Sequence, residues 1–178
     1  MTSRFRVEAL TSAHDRAGFS SGVEPLDRYL RELATQDIKR RVGNCFVALD
    51  ADGGIAGYYT FAATSLPLTE LSAAERKRLP RYAALPAGLI GRLAVSQRIQ
   101  GQRLGGALIM DAVALAARGD PAIFALIVDA KDEAAIGFYE HLQFRRFASK
   151  PMTLFLPLAT ALQALREAGL IREREPQG

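Results

Sequence analysis

The stretch LAVSQRIQGQRLGG, residues 93–106, decides the fold of this chain. An apolar strand over residues 89–95 ends there, a short loop with three glycines follows, and an apolar-periodic helix begins directly after it. Glycine lets the backbone approach a ligand, and the first turn of a helix presents unpaired N–H groups at its positive end. The stretch therefore predicts a phosphate socket. A plain strand-to-helix turn with a glycine cap is the alternative, because a single glycine loop is a weak signal.

The segments on either side of this stretch alternate between strands and helices. The predicted strands cover residues 5–10, 45–49, 55–66, 89–95, 122–128, 144–148 and 152–156. The predicted helices cover residues 25–41, a short segment from the capping-box match at 72–75 to Pro80, 103–118, 132–142 and a terminal segment that begins at 158. Residues 50–54 have the composition of a hairpin turn, and residues 81–88 are read as a proline-bearing approach to the fourth strand. This order predicts one mixed α/β sheet flanked by helices.

Composition narrows the class of protein. The chain has 178 residues, of which 49% are hydrophobic and 24% are charged, as expected of one globular domain over residues 1–178 with a frayed tail at 172–178. Its apolar runs are too short for a membrane span, and its start lacks the apolar block of a signal peptide. One cysteine and two histidines argue against a disulfide framework and a metal site. We expect a cytoplasmic protein without membrane contact, whose net charge of +4 favours polyanionic ligands.

Two segments resemble the motifs of the GNAT-fold N-acetyltransferases. Residues 89–95, the loop QGQRLG at 100–105 and the following helix resemble the acetyl-CoA motif Gln/Arg-x-x-Gly-x-Gly/Ala. The strand at 122–128 and the helix at 132–142, with the triplet FYE, resemble the second motif. The resemblance implies a GNAT fold with a mixed, mostly antiparallel central sheet flanked by helices, and acetyl-CoA as the cofactor.

The acetyl-CoA motif departs from the family at Arg103, which occupies the position of the first motif glycine. We expect residue 103 to begin the helix, where helical dihedral angles suit any residue and the N–H group still faces a phosphate. Its guanidinium either adds a charge-assisted contact to the pyrophosphate or crowds it. The family also implies that main-chain groups of residues 93–95 face the pantetheine arm and the thioester carbonyl. The predicted cofactor-binding residues are Leu93, Ala94, Val95, Gln100, Gly101, Gln102, Arg103, Leu104, Gly105, Gly106 and Phe138.

Tyr139 is the predicted catalytic residue. Phe138 is in step with Ala135 and Leu142, so we expect Phe138 on the core face and Tyr139 directed elsewhere. In the GNAT family, a tyrosine at this point of the motif protonates the departing CoA thiolate as general acid. The alternative is that Tyr139 is a core aromatic residue.

The sequence offers no clear general base, because the acidic residues near Tyr139 are read as solvated helix charges. An α-amine titrates at about 7.7–8.0 and a lysine at about 10.4. An aminoacyl ester has a lower pKa still, because the ester withdraws electrons, so its amine needs no strong base. The missing base therefore favours an aminoacyl acceptor over a protein lysine.

A narrower resemblance extends over nearly the whole chain. The segments that carry it are LDRYL at 26–30, the 34–41 helix end, GYYT at 57–60, GRLAV at 91–95, VDAK at 128–131 and FYE at 138–140. They are similar to the GNAT toxins of bacterial type II toxin–antitoxin modules. Such toxins acetylate the α-amine of aminoacyl-tRNA and halt translation. The resemblance also implies a homodimer that a ribbon-helix-helix antitoxin neutralises.

Basic residues supply candidate contacts to tRNA phosphates. The candidates are Lys39, Arg40, Arg41, Arg78, Arg81 and Arg92. A solvated helix face is the usual explanation of such charge runs, and the resemblance to toxins is what favours tRNA. Two other functions stay open: a GNAT acetyltransferase of a small amine or a protein N-terminus, and a non-catalytic GNAT-like module that binds acyl-CoA.

Overall fold

A computed structural model describes residues 4–171, so the tail predicted at 172–178 lies outside the described residues. The strands are β1 (Arg6–Ala9), β2 (Asn44–Leu49), β3 (Ile55–Pro67), β4 (Ala84–Ile90), β5 (Leu93–Val95), β6 (Ala125–Asp129), β7 (Arg145–Arg146) and β8 (Thr153–Pro157). The helices are α1 (Glu24–Arg28), α2 (Ala34–Lys39), α3 (Ala73–Lys77), α4 (Leu104–Arg118), α5 (Glu133–His141) and α6 (Leu158–Glu167). Across the described range, none of these helices combines the length and apolar character that crossing a bilayer requires.

The chain divides into two compact units. The first comprises the residues up to Thr64 together with Gly88–Ala114, and the second comprises Ser65–Ala87 together with the residues from Leu115 onward. Strands β3 and β4 and helix α4 each have residues in both units.

The first unit is built on antiparallel strand pairs. Its strands follow the order β1-β2-β3-β4, and β5 also pairs with β3. The pairs β1–β2, β2–β3 and β3–β5 are antiparallel. The predicted hairpin turn between β2 and β3 is confirmed, because the Asp50 N–H donates to the Gly54 carbonyl at 2.9 Å.

The predicted strand at 89–95 is wrong as a single element. Strand β4 ends at Ile90, and β5 begins at Leu93. Between them, the Arg92 N–H donates to the Thr60 hydroxyl at 3.0 Å, while the Arg92 carbonyl accepts from the Thr60 N–H at 3.0 Å. A side-chain oxygen thus replaces a ladder partner, which interrupts the strand as a bulge does.

The approach predicted at 81–88 is also wrong, because β4 already begins at Ala84. Proline lacks an N–H donor, which disfavours a strand in the sequence pattern. The Pro86 carbonyl can still accept, and it takes a hydrogen bond of 2.8 Å from the Phe124 N–H.

The helix predicted at 25–41 is confirmed in position, but it is not a continuous α-helix. A π-helical turn, Tyr29–Leu33, separates α1 from α2. Tyr29, Leu30 and Ala34 are buried in the apolar core of the first unit. Helix α4 contributes Leu104, Leu108 and Ile109 as buried side chains.

The second unit contains strands in the order β4-β6-β8-β7, with antiparallel β6–β8 and β7–β8 pairs. The strand predicted at 122–128 begins only at Ala125. Residues 125–128 of β6 are all buried, which confirms the prediction of a strand covered on both faces over that part. The capping box of α3 is confirmed as well, because Ser72 accepts from the Glu75 N–H and the Glu75 carboxylate accepts from the Ser72 N–H.

Candidate active site

The glycine loop differs from its prediction at Arg103. Helix α4 begins at Leu104, and Arg103 lies just before it with a φ of 63°, in the left-handed region. Gly101 has a φ of 85° in the same loop. The expectation of helical dihedral angles at residue 103 is therefore wrong. A left-handed backbone costs an L-residue about 1–2 kcal/mol, and glycine adopts it freely, which is the physical reason for a glycine at this motif position.

Replacing Arg103 tests this backbone strain. We expect Arg103→Gly to unfold with a free energy about 1 kcal/mol higher than that of Arg103→Ala. Both variants lose the guanidinium, and the difference between them isolates the backbone, measured by chemical denaturation. Equal free energies of unfolding would show that residue 103 does not need the left-handed region.

The Gln100 side chain hydrogen-bonds to the main chain beside the loop. Its side-chain amide donates to the Ser21 carbonyl at 3.0 Å and to the Val95 carbonyl at 3.1 Å. Ser21 is in turn held by Asp27, whose carboxylate accepts from the Ser21 N–H at 2.9 Å and from its hydroxyl at 2.6 Å. The Asp27 side chain is buried, so this network fixes the end of β5 and the start of the loop. Sequence reasoning missed Asp27 and Ser21, because Asp27 looked like one acidic residue within a charged helix.

Sequence reasoning also missed Gly57. It pairs with Val95 across the β3–β5 ladder. A Cβ at this position would lie 2.9 Å from the Ala94 carbonyl oxygen, 3.1 Å from Leu104 Cδ2 and 3.2 Å from Leu108 Cδ1. The absence of a side chain here therefore lets β5 and the first turns of α4 come close together. The sequence signal was the glycine within GYYT, an otherwise bulky strand.

The other predicted cofactor-binding residues of the first unit differ in their exposure to solvent. Leu104 and Ala94 are buried, so Leu104 packs in the core and Ala94 can offer main-chain groups alone. Gly105 and Gly106 are half-buried, and Gln102 is exposed. A Cβ built on Gly101 or Gly106 would meet no atom within 4 Å. The loop backbone is therefore approachable, as a phosphate socket requires.

The orientation predicted for α5 is wrong. Tyr139 is 7% exposed and Ile136 is 1% exposed, whereas Phe138 is 36% exposed. The buried face of this helix is therefore set by Ile136 and Tyr139, which are three residues apart. The Tyr139 ring packs against Phe138 and Phe144, with centroid distances of 5.1 and 5.4 Å. The large apolar Ile136 outweighs Ala135 in choosing the face, because it buries more apolar surface.

The Tyr139 hydroxyl remains accessible although its ring is packed. Within residues 4–171 it has no hydrogen-bond partner, and no fully buried side-chain oxygen or nitrogen there lacks one. The hydroxyl oxygen is therefore not completely shielded from solvent. Burial, with a further contribution from the negative charge of Asp129, raises the pKa of Tyr139 to about 12. The phenol thus stays protonated at neutral pH and can donate its proton, as a general acid must.

Two carboxylates at α5, those of Glu140 and of the N-cap residue Asp132, are engaged in structural contacts. Glu140 accepts from Arg146 at 2.7 and 2.9 Å. Asp132 caps the helix by accepting from the Ala135 N–H at 2.8 Å. Neither contact prepares a carboxylate for proton abstraction.

The predicted nucleic-acid contacts fall into three groups. Lys39, Arg40 and Arg41 are exposed at the end of α2, and none of them forms an ion pair within the described chain. Arg41 also lines an open cleft of about 510 Å³ with Ile38, Val42, Gly43, Asn44, Phe61, Ala62 and Ala63. Arg78 and Arg81 are exposed in the second unit. Arg92 stands apart from both groups, because it is half-buried and its guanidinium lies over the ring of Tyr29.

Comparison with known proteins identifies the family. Residues 8–144 match the Acetyltransferase (GNAT) family. The chain belongs to the GNAT family. The GNAT fold predicted from the strand–loop–helix stretch is therefore confirmed.

Particular GNAT proteins resemble the chain over most of its length. A "tRNA-acetylating toxin" of Mycobacterium tuberculosis is 32% identical over 154 residues, which cover 85% of this chain and 91% of that protein. The solved structure of AtaT complexed with acetyl-methionyl-tRNAfMet has a TM-score of 0.82 and 25% identity, covering 90% of this chain and 99% of AtaT. The structure of AtaTR bound with AcCoA has a TM-score of 0.73 and 26% identity, covering 91% of this chain and 98% of that one. The predicted resemblance to GNAT toxins is confirmed.

Proposed function

We propose that this protein is an acetyl-CoA-dependent N-acetyltransferase that acetylates the α-amine of aminoacyl-tRNA and so blocks translation. The observation that carries this proposal is the 32% identity, over 85% of the chain, with a tRNA-acetylating toxin. The likeness to AtaT complexed with acetyl-methionyl-tRNAfMet supports the same acceptor. The accessible, protonated hydroxyl of Tyr139 suits the chemistry, because amine attack on a thioester requires a proton for the leaving sulfur.

The residues of the glycine loop fit acetyl-CoA. Backbone amides at residues 101–106 would hold its diphosphate, since Gly101 and Gly106 leave open space before the loop. Main-chain groups of Leu93–Val95 would orient the acyl arm and stabilise negative charge on the carbonyl oxygen. When bound, acetyl-CoA would supply the thioester that the acceptor amine attacks. Tyr139 would donate its proton to the departing sulfur and regain one from water, while the amine would lose a proton to water.

The proposal also includes partners and a setting. The exposed cations Lys39, Arg40, Arg41, Arg78 and Arg81 suit a polyanionic acceptor such as tRNA. As the toxin of a toxin–antitoxin module, the protein would be neutralised by a ribbon-helix-helix antitoxin. A homodimer, a cytoplasmic location and a single domain over residues 1–178 belong to the same proposal.

The release of CoA thiol from acetyl-CoA tests the proposed acceptor. We expect thiol release with aminoacyl-tRNA and none with uncharged tRNA or with aminoacyl-tRNA that already carries an N-acetyl group. Release with small amines or N-terminal peptides, and none with charged tRNA, would assign the acceptor to those amines. No release with any amine would leave a binding module and overturn the enzymatic proposal.

Charge reversal at Arg40 and Arg41 tests the tRNA surface. The Arg40→Glu/Arg41→Glu variant should raise the KM for aminoacyl-tRNA and flatten its dependence on salt, because each lost phosphate contact removes about 0.7–0.9 from the log–log slope. The measurement is the acetylation rate across a salt series. Arg166→Glu, an exposed reversal on α6, is the matched control and should keep the parent slope. An unchanged KM and slope in the double variant would remove this patch from the tRNA surface.

A further inference from the structure

Arg92 occupies an unusual position in the first unit. Its guanidinium carbon lies 3.6 Å from the centroid of the Tyr29 ring, close enough for a cation–π contact. The Arg92 backbone is fixed on both sides, because its N–H donates to the Thr60 hydroxyl and its carbonyl accepts from the Thr60 N–H. The side chain is half-buried, and it has no carboxylate partner anywhere in residues 4–171.

The ring beneath Arg92 is itself rigidly held. Tyr29 is 4% exposed, and its hydroxyl donates to the Asp37 carboxylate at 2.9 Å. The ring also stacks with Tyr58 at a centroid distance of 6.3 Å. Tyr58 is anchored in turn, because its hydroxyl donates to the Leu26 carbonyl at 2.6 Å. Tyr29 also opens the π-helical turn, a feature that occurs frequently at functional sites.

The Arg92 guanidinium is thus held in place without an anionic partner among residues 4–171. A guanidinium carries five N–H donors in a planar fork, and the stacked ring occupies a face of that plane rather than its edges. A partly buried charge is costly unless it is paired. The donors of Arg92 therefore suit an anionic group that arrives with a ligand.

The position of Arg92 in the chain indicates which anion it meets. Arg92 directly precedes β5, the strand to which the proposed function assigns the thioester. An anion at Arg92 therefore lies close to the reacting end of the acceptor. In an aminoacyl ester of RNA the amino acid carboxyl is esterified, so the nearest negative charge to the α-amine is the 5′-phosphate of the terminal nucleoside.

We propose that Arg92, held over the Tyr29 ring, binds the phosphodiester of the terminal nucleotide and thereby positions the α-amine of the acceptor. This inference rests on the proposed function and makes it more specific. Arg92 is the binding residue, and Tyr29 with Asp37 are positioning residues. The exposed cations at 39–41 and at 78 and 81 would contact phosphates elsewhere on the RNA.

Two short acceptors test the proposal directly. They are 3′-aminoacyl-adenosine and the same compound with a 5′-phosphate, compared by kcat/KM for thiol release. The parent should prefer the phosphorylated acceptor about tenfold or more, as expected of a charge-assisted hydrogen bond. In Arg92→Gln this preference should fall to about one, and Arg92→Lys should keep part of it, because lysine retains the charge without the planar stack.

Substitutions of Tyr29 distinguish an effect on the position of Arg92 from an effect on folding. Tyr29→Leu removes the ring and should reduce the phosphate preference, whereas Tyr29→Phe keeps the ring and should restore most of it. The preference is a ratio within each variant, so a general loss of folded protein does not change it. A parent without phosphate preference, or an Arg92→Gln variant that keeps it, would overturn the role of Arg92. A parent that acetylates no aminoacyl acceptor, aminoacyl-tRNA included, would instead overturn the proposed function.

Discussion

Replacing Tyr139 by phenylalanine is expected to lower kcat by about 10²–10⁴-fold, the contribution typical of a general acid. The variant loses the phenol to which the proposed mechanism assigns protonation of the departing sulfur. It keeps the ring that packs against Phe138 and Phe144. Because the hydroxyl makes no hydrogen bond within residues 4–171, its loss should leave the melting temperature within a few degrees of the parent.

The pH dependence follows from the same phenol. In the proposed mechanism the protonated form is the acid, and burial raises its pKa to about 12, above the ordinary value of 10. We therefore expect the loss of kcat with rising pH to begin above pH 10 rather than near it. A loss of kcat already complete at pH 9 would point to another acid.

Thiol release and thermal unfolding of parent and variant together check this prediction. Tyr82→Phe is the matched control, since Tyr82 is 64% exposed and lies outside the proposed site. It should retain the parent kcat. A Tyr139→Phe variant with a kcat within twofold of the parent would remove Tyr139 from the mechanism.

Replacing Gly57 by alanine is expected to weaken both the fold and the binding of acetyl-CoA. The new Cβ would meet the Ala94 carbonyl oxygen at 2.9 Å, and a backbone atom cannot move aside without shifting β5. Overpacking of this kind costs about 1–3 kcal/mol. A chain of this size loses about 2–4 °C in Tm for each kcal/mol. The displaced main chain of Leu93–Val95 should also raise the KM for acetyl-CoA.

Gly18→Ala is the control for this substitution, because a Cβ at Gly18 would meet no atom within 4 Å. It should keep the parent Tm and the parent KM. Thermal unfolding and initial rates across an acetyl-CoA series measure both quantities. A Gly57→Ala variant that matches the parent in each would show that β5 does not depend on this close approach.

Local chemistry explains what was predicted correctly. The strand–loop–helix stretch at 93–106, the hairpin turn at 50–54 and the capping box at Ser72 and Glu75 each depend on residues within a few positions of one another. Hydrophobic periodicity, turns at glycine and capping hydrogen bonds all involve residues within a few positions of one another. The placement of most helices and strands, and with them the fold class, could therefore be read from the chain.

The wrong predictions concern features that depend on contacts between residues far apart in the sequence. The face that α5 buries depends on contacts of Ile136 and Tyr139 with other elements, and its nine residues do not carry enough period to reveal it. The break between β4 and β5 depends on the Thr60 hydroxyl, 32 positions away. Pro86 lies in a strand because its carbonyl meets Phe124.

The sequence by itself determined the order of elements, and it predicted a phosphate-binding loop and a single candidate acid, Tyr139. The tertiary structure alone decided that Arg103 takes a left-handed backbone, that the Tyr139 ring is packed while its hydroxyl stays accessible, and that Arg92 lies over Tyr29. The reason is physical. Periodicity and capping are short-range properties of the chain, whereas burial, strain and an unpaired cation arise from atoms that folding brings together from distant positions.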